Sequence, residues 1–151
     1  MTKQSSGGET TFEVPFNNNS NFEITSDTLK LGAGIDFVGN YYLSSSGKTK
    51  LYTGVHQMDA VMIQGDGVFQ IYGGTLWTNP GGITANCPVE IWGSGTNIDG
   101  NGQIAFANTV EWNDGEIAGS DTIFVNGDLT ISGPIRRTIT QCVLVNKGSA
   151  T

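Results

Sequence analysis

Apolar and polar residues alternate along most of the 151-residue chain, in runs that are short. Val89-x-Ile91, Ile104-x-Phe106, Ile123-x-Val125 and Leu129-x-Ile131 each put two large apolar side chains on one side of an extended segment, and each run closes on Gly, Asn, Asp or Ser. A period of two between turn formers predicts half-buried strands.

The runs recur. Gly39, Gly65, Gly93 and Gly119 each follow an apolar-x pair and return about every 26 to 28 residues, the spacing of a structural repeat. A second glycine follows each, at Gly47, Gly73, Gly102 and Gly127. Large apolar residues hold fixed offsets from these glycines. Phe37, Ile63, Ile91 and Ile117 form one set; Leu43, Phe69, Ile98 and Ile123 a second; Leu51, Trp77, Phe106 and Ile131 a third. Three short strands and three turns fit in roughly 26 residues at about 3.3 Å per residue. The expectation is an all-β chain folded as a right-handed parallel β-helix, a three-sided β-solenoid of about five coils of 26–28 residues, with inward side chains stacked in columns and glycines at the corners. Residues 12–148 form the single solenoid domain in this reading, preceded by a disordered or flexible N-terminal segment, 1–11.

Segments such as "VMIQGDGVFQIYGGTLW" and "VEWNDGEIAGSDTIFVNGDLTISGP" resemble the Gly-rich strand repeats of large bacterial surface and secreted proteins with pectin-lyase-like or autotransporter-passenger β-helices. The resemblance implies a β-helix and constrains activity little, because one fold hosts many functions.

Composition adds exclusions. The chain carries 22 glycines, 14% charged residues and a net charge of −7, which argues against helices and against nucleic acid or an anionic membrane surface as a partner. It has no run of eighteen apolar residues to span a bilayer as a helix, and "MTKQSSGGETTF" lacks the apolar region of a signal peptide. The expectation is an internal piece of a longer, extracellular or cell-surface protein.

Candidate chemistry is sparse. "LGAGIDFVGN" nearly reproduces a calcium-binding nonapeptide around Asp36, but the motif does not recur in tandem, so the expectation is a turn without metal. Asp114, Glu116 and Asp121 form the nearest approach to the converging carboxylates that glycoside hydrolysis needs, with Arg136 and Arg137 at least a coil further on. His56 is the single histidine, read as a solvated loop residue. Cys87 and Cys142 are too far apart along the stack to bridge, so both are expected as free, largely buried thiols. Tyr42, Tyr52, Tyr72 and Trp92 share outward parity, yet one 26-residue repeat beyond Tyr52 and Trp92 stand Thr78 and Ala118, so no aromatic ladder is expected, only a glycan-facing patch of Tyr72 with Trp92.

These readings combine into a non-enzymatic rod, spacer or adhesive module without cofactor or metal. Its expected partners are other copies of itself, stacked end to end into a filament, or adjoining coils of a longer chain. Carbohydrate binding or polysaccharide degradation is the alternative.

Overall fold

The structure is a computed structural model that describes residues 2–3 and 8–151. Among the described residues twenty strands are joined by turns alone, and every strand pairing is parallel. The result is a three-sided β-solenoid of about seven turns. Among the described residues no helix is long and apolar enough to cross a membrane.

Face 1 is a separate seven-stranded sheet: Glu9–Phe12, Asp27–Leu31, Gly47–Leu51, Val68–Tyr72, Val89–Trp92, Val110–Trp112 and Leu129–Ile131. Faces 2 and 3 are continuous with each other because the strands Ile35–Leu43 and Val55–Gly65 run through the corner between them. From Val55–Gly65, face 2 continues through Thr75–Thr78, Asn97–Gly100, Gly115–Ile117 and Arg137–Ile139. Face 3 continues through Ile83–Asn86, Ile104–Phe106, Thr122–Val125 and Val143–Asn146. The corner in the long strand is a bulge. Val38 pairs with Asp59 and Gly39 with Val61, which leaves Ala60 as the extra residue at φ 51°.

The expected number and length of coils need correction. Stacked partners such as Glu9↔Thr28, Ile104↔Ile123, Val61↔Ile83 and Gly115↔Arg137 lie about 20 residues apart, so the solenoid has short turns where longer coils were expected. There are about seven of them, against about five. The 26-residue interval has a physical origin. A turn of this length spread over three sides gives about seven residues per side, so about 26 to 28 residues is one turn plus one side. The four repeat glycines accordingly step around the prism. Gly39 stands between faces 2 and 3, Gly65 between 3 and 1, Gly93 between 1 and 2, and Gly119 between 2 and 3 again. All three corners follow the same strand-and-turn grammar, so the pattern stays in phase while the side changes.

The inward columns follow the true register. On face 1 they run Leu29–Thr49–Phe69–Val89–Val110–Leu129 and Leu31–Leu51–Ile71–Ile91–Trp112–Ile131. On face 2 His56, Leu76, Ile98, Ile117 and Ile139 stack, and on face 3 Val61, Ile83, Ile104, Ile123 and Leu144. Ten of the twelve apolar residues picked out by the glycine offsets are buried; Trp77 points outward on face 2 and Ile131 ends the last named strand of face 1. Two hydroxyls interrupt the apolar columns and are satisfied internally. Thr49 Oγ1 lies 2.6 Å from the buried Tyr41 hydroxyl, and Thr78 Oγ1 lies 3.0 Å from the Gly102 carbonyl.

Of the N-terminal segment 1–11, residues 1 and 4–7 lie outside the described residues. Thr2–Lys3 pairs with Phe22–Ile24, and Glu9–Phe12 pairs with Asp27–Leu31 as the first strand of face 1.

Candidate functional site

A concavity runs along the corner between faces 1 and 2. The chain reaches it four successive times, at Tyr52, Tyr72, Trp92 and Asn113, because each residue follows or ends a face 1 strand. Tyr72 and Trp92 are register partners, and the Tyr52 and Tyr72 rings stack at 6.0 Å with 14° between their planes. An aromatic ladder therefore exists, contrary to expectation. Its rungs recur with the true turn of about 20 residues, whereas a 26-residue repeat finds none. Lys30 Nζ lies 3.8 Å from the centre of the Tyr52 ring and Lys50 Nζ lies 3.9 Å from that of Tyr72. These cations and the mutual stacking occupy ring faces of the two tyrosines. Trp92, 38% exposed, is the rung that opens onto solvent.

Below Trp92 the ladder gives way to a groove of about 650 Å³ walled by Tyr72 and Trp92 on one side and Pro134 and Ile135 on the other, with Glu111, Asn113, Asp114 and Ser132 between. Its polar groups are held in a network. Asn113 Nδ2 donates to Glu111 Oε1 at 3.0 Å, and the Ser132 hydroxyl donates to Asn113 Oδ1. Arg137 fixes the turn from beneath, donating to the carbonyls of Trp112, Asn113 and Gly133 at 2.9 to 3.0 Å.

The expected acidic cluster is split. Asp114 and Glu116 share a second, shallower groove with Asn97, Arg136 and Thr138, whereas Asp121 lines neither. Asp114 is nearly buried, and its carboxylate accepts the Gly115 N–H at 2.7 Å. Asp121 does the same for Thr122 at 2.6 Å, at the start of the next face 3 strand. Glu116 accepts the Thr140 hydroxyl at 2.6 Å. Arg136, expected at least a coil away, is beside the acids because one turn further along the chain is the adjacent layer of the stack.

His56 also departs from expectation. It lies in the interior, fully buried in the face 2 column against Leu76, and both imidazole nitrogens lack a hydrogen-bond partner. Burial lowers its pKa from 6.5 to about 4; the Thr53 backbone, which approaches the ring without meeting full hydrogen-bond geometry, offsets part of this. Both cysteines are free, as expected; Cys87 is buried and Cys142 half-buried.

In "LGAGIDFVGN" the glycines serve packing. A Cβ on Gly34 would stand 2.4 Å from the Val55 carbonyl oxygen of the next turn, so only glycine allows that approach. Asp36 pairs with Gln57 on face 2, and among the described residues no three His, Cys, Asp or Glu side chains cluster as metal ligands.

No family model, curated protein or solved structure matches the chain.

Proposed function

We propose that the chain is a rod or spacer segment, an adhesive β-solenoid module of an extracellular or cell-surface protein, lengthened by adding turns at its ends. One observation carries this reading. Ile139 continues the column that buries Ile117, yet it is 44% exposed on the last described face 2 strand. A further turn would cover it and pair the open edges of Arg137–Ile139 and Val143–Asn146. Either an adjoining stretch of a longer chain or another copy supplies that turn. The acidic, weakly charged and Gly-rich composition supports an extracellular setting and disfavours nucleic acid.

Small-angle scattering over a concentration series tests self-stacking. The expected result is particles that lengthen with concentration and stop lengthening in Ile139→Lys. A wild-type chain that stays monomeric from micromolar to millimolar concentration removes stacking between copies.

The groove favours a second reading, binding of a neutral glycan. The open Trp92 ring offers a stacking face beside the Glu111–Asn113–Ser132 hydrogen-bonding set. Titration with neutral oligosaccharides, followed by tryptophan fluorescence in wild type and Trp92→Ala, decides it: a saturable change absent from the variant supports binding, and no change in either rejects it. A glycan-degradation screen with Asp114→Ala and Glu116→Ala covers the hydrolytic version.

A further inference from the structure

The outward column at the centre of face 1 reads Thr11, Lys30, Lys50, Gln70, Glu90, Glu111, Thr130, one residue from each of seven consecutive strands. Its chemistry is antisymmetric about Gln70, which has outward parity but is itself covered, its amide bonded to Glu90. Two lysines precede the glutamine, two glutamates follow it, and threonines close both ends.

A parallel ladder makes this segregation unfavourable within one chain. Lys30 stands directly on Lys50, and Glu90 directly on Glu111. Like charges opposed on neighbouring strands repel. Internal contacts relieve part of this. Lys48 Nζ reaches Glu90 at 3.1 Å, Gln70 donates to Glu90 at 2.6 Å, and Lys30 lies 3.7 Å from Glu9. Lys50 and Glu111 have no ion-pair partner among the described residues; Lys50 lies over Tyr72 and Glu111 accepts from Asn113.

We propose that face 1 is a homodimer interface, in which two copies pack face to face with their solenoid axes antiparallel. The two-fold axis lies in the interface along strand Val68–Tyr72. That operation sets Lys50 over the second copy's Glu90, Lys30 over its Glu111, Gln70 over Gln70 and Thr11 over Thr130. Every charge in the column then faces its opposite, and each pair occurs twice, as an isologous contact requires. The occupant is a second copy because the complement of the face is the face itself, read backwards.

The size of the face limits the affinity. Seven strands about 4.8 Å apart and three to five residues long at about 3.3 Å each cover roughly 450 Å². A pair buries about 900 Å² in total, the range of weak, transient association. The contact is therefore weak and electrostatically steered, and it loosens with salt because the Debye length falls to about 8 Å at physiological ionic strength.

This pairing is separate from end-to-end stacking. It closes at two copies, and Ile139→Lys leaves it intact.

Sedimentation equilibrium at 50 and 500 mM NaCl tests it, using wild type and the double variants Lys30→Glu/Lys50→Glu and Glu90→Lys/Glu111→Lys, all in the Ile139→Lys background. Circular dichroism and melting verify that each is folded. The expected result is a dimer that weakens at least tenfold at the higher salt, two monomeric variants, and a heterodimer when the variants are mixed, since the mixture restores every opposed pair. A wild-type face that stays monomeric at millimolar concentration and low salt overturns the proposal. So does either variant alone dimerising as wild type does, or a mixture no more associated than its components. Glu90→Lys removes the partner of Lys48; if that variant fails to fold, Lys30→Glu mixed with Glu111→Lys poses the same question across one pair.

Discussion

Acid should weaken this fold through a single side chain. His56 is neutral in the folded chain down to about pH 4, whereas an unfolded histidine takes up its proton near 6.5. Between those values the unfolded state binds more protons, so stability falls as pH drops through the window and is insensitive to His56 above it. The two pKa values give a loss of about 2 kcal/mol at pH 5, about 3 kcal/mol at pH 4, and a limit of roughly 3.4 kcal/mol. His56→Leu matches its column neighbour Leu76 and removes two buried nitrogens without partners. It should stabilise the chain at pH 7.5 by roughly 1 to 3 kcal/mol and by about 2 kcal/mol more at pH 5. For a chain of this size that extra 2 kcal/mol is about 4 to 8 °C in Tm. Urea melts of both proteins at pH 7.5, 6 and 5 measure the difference, and titration of the carboxylates common to both proteins cancels in it. Equal differences at pH 7.5 and 5 would refute the reasoning, as would an imidazole NMR titration with its midpoint between 6 and 7.

Two further outcomes follow from packing. Gly65 has φ +114°, and a Cβ there would stand 1.9 Å from the Leu43 carbonyl oxygen of the turn before, so Gly65→Ala should cost more than about 3 kcal/mol in urea melts; a cost under about 1 kcal/mol contradicts the packing. The Cys87 thiol, pushed up to about 12 by burial, should resist a disulfide reagent at pH 8 in the native chain while half-buried Cys142 reacts, giving one fast thiol natively and two after denaturation; two thiols reacting at similar rates in the native chain would contradict this.

The strands are legible in the sequence because alternation is local. Ile91, Ile104, Phe106, Ile123 and Val125 declare their inward parity without reference to any neighbour, and all five are buried. The turn length is not legible, because equivalent corners let the pattern recur after one turn plus one side. The aromatic ladder is lost with it: Tyr52, Tyr72 and Trp92 become neighbours only when the turn is about 20 residues long. His56 escapes for another reason. In "TGVHQMD" its polarity suggests a loop, but it alternates with Met58 on the inward side of a strand, where parity outweighs polarity. The charge antisymmetry of face 1 becomes visible only with the true register, since Lys30, Lys50, Glu90 and Glu111 share no motif in sequence.

Each described strand bonds only to the turn before and the turn after it, with partners about 20 residues away along the chain. Mechanically, the chain is a coil of tape without a central knot. Tension applied at its ends shears no long block of bonds at once and instead peels one layer after another. Each layer releases about 20 residues, roughly 65 to 75 Å of extended chain. A member built this way yields in even steps under load and rewinds from any layer still in place.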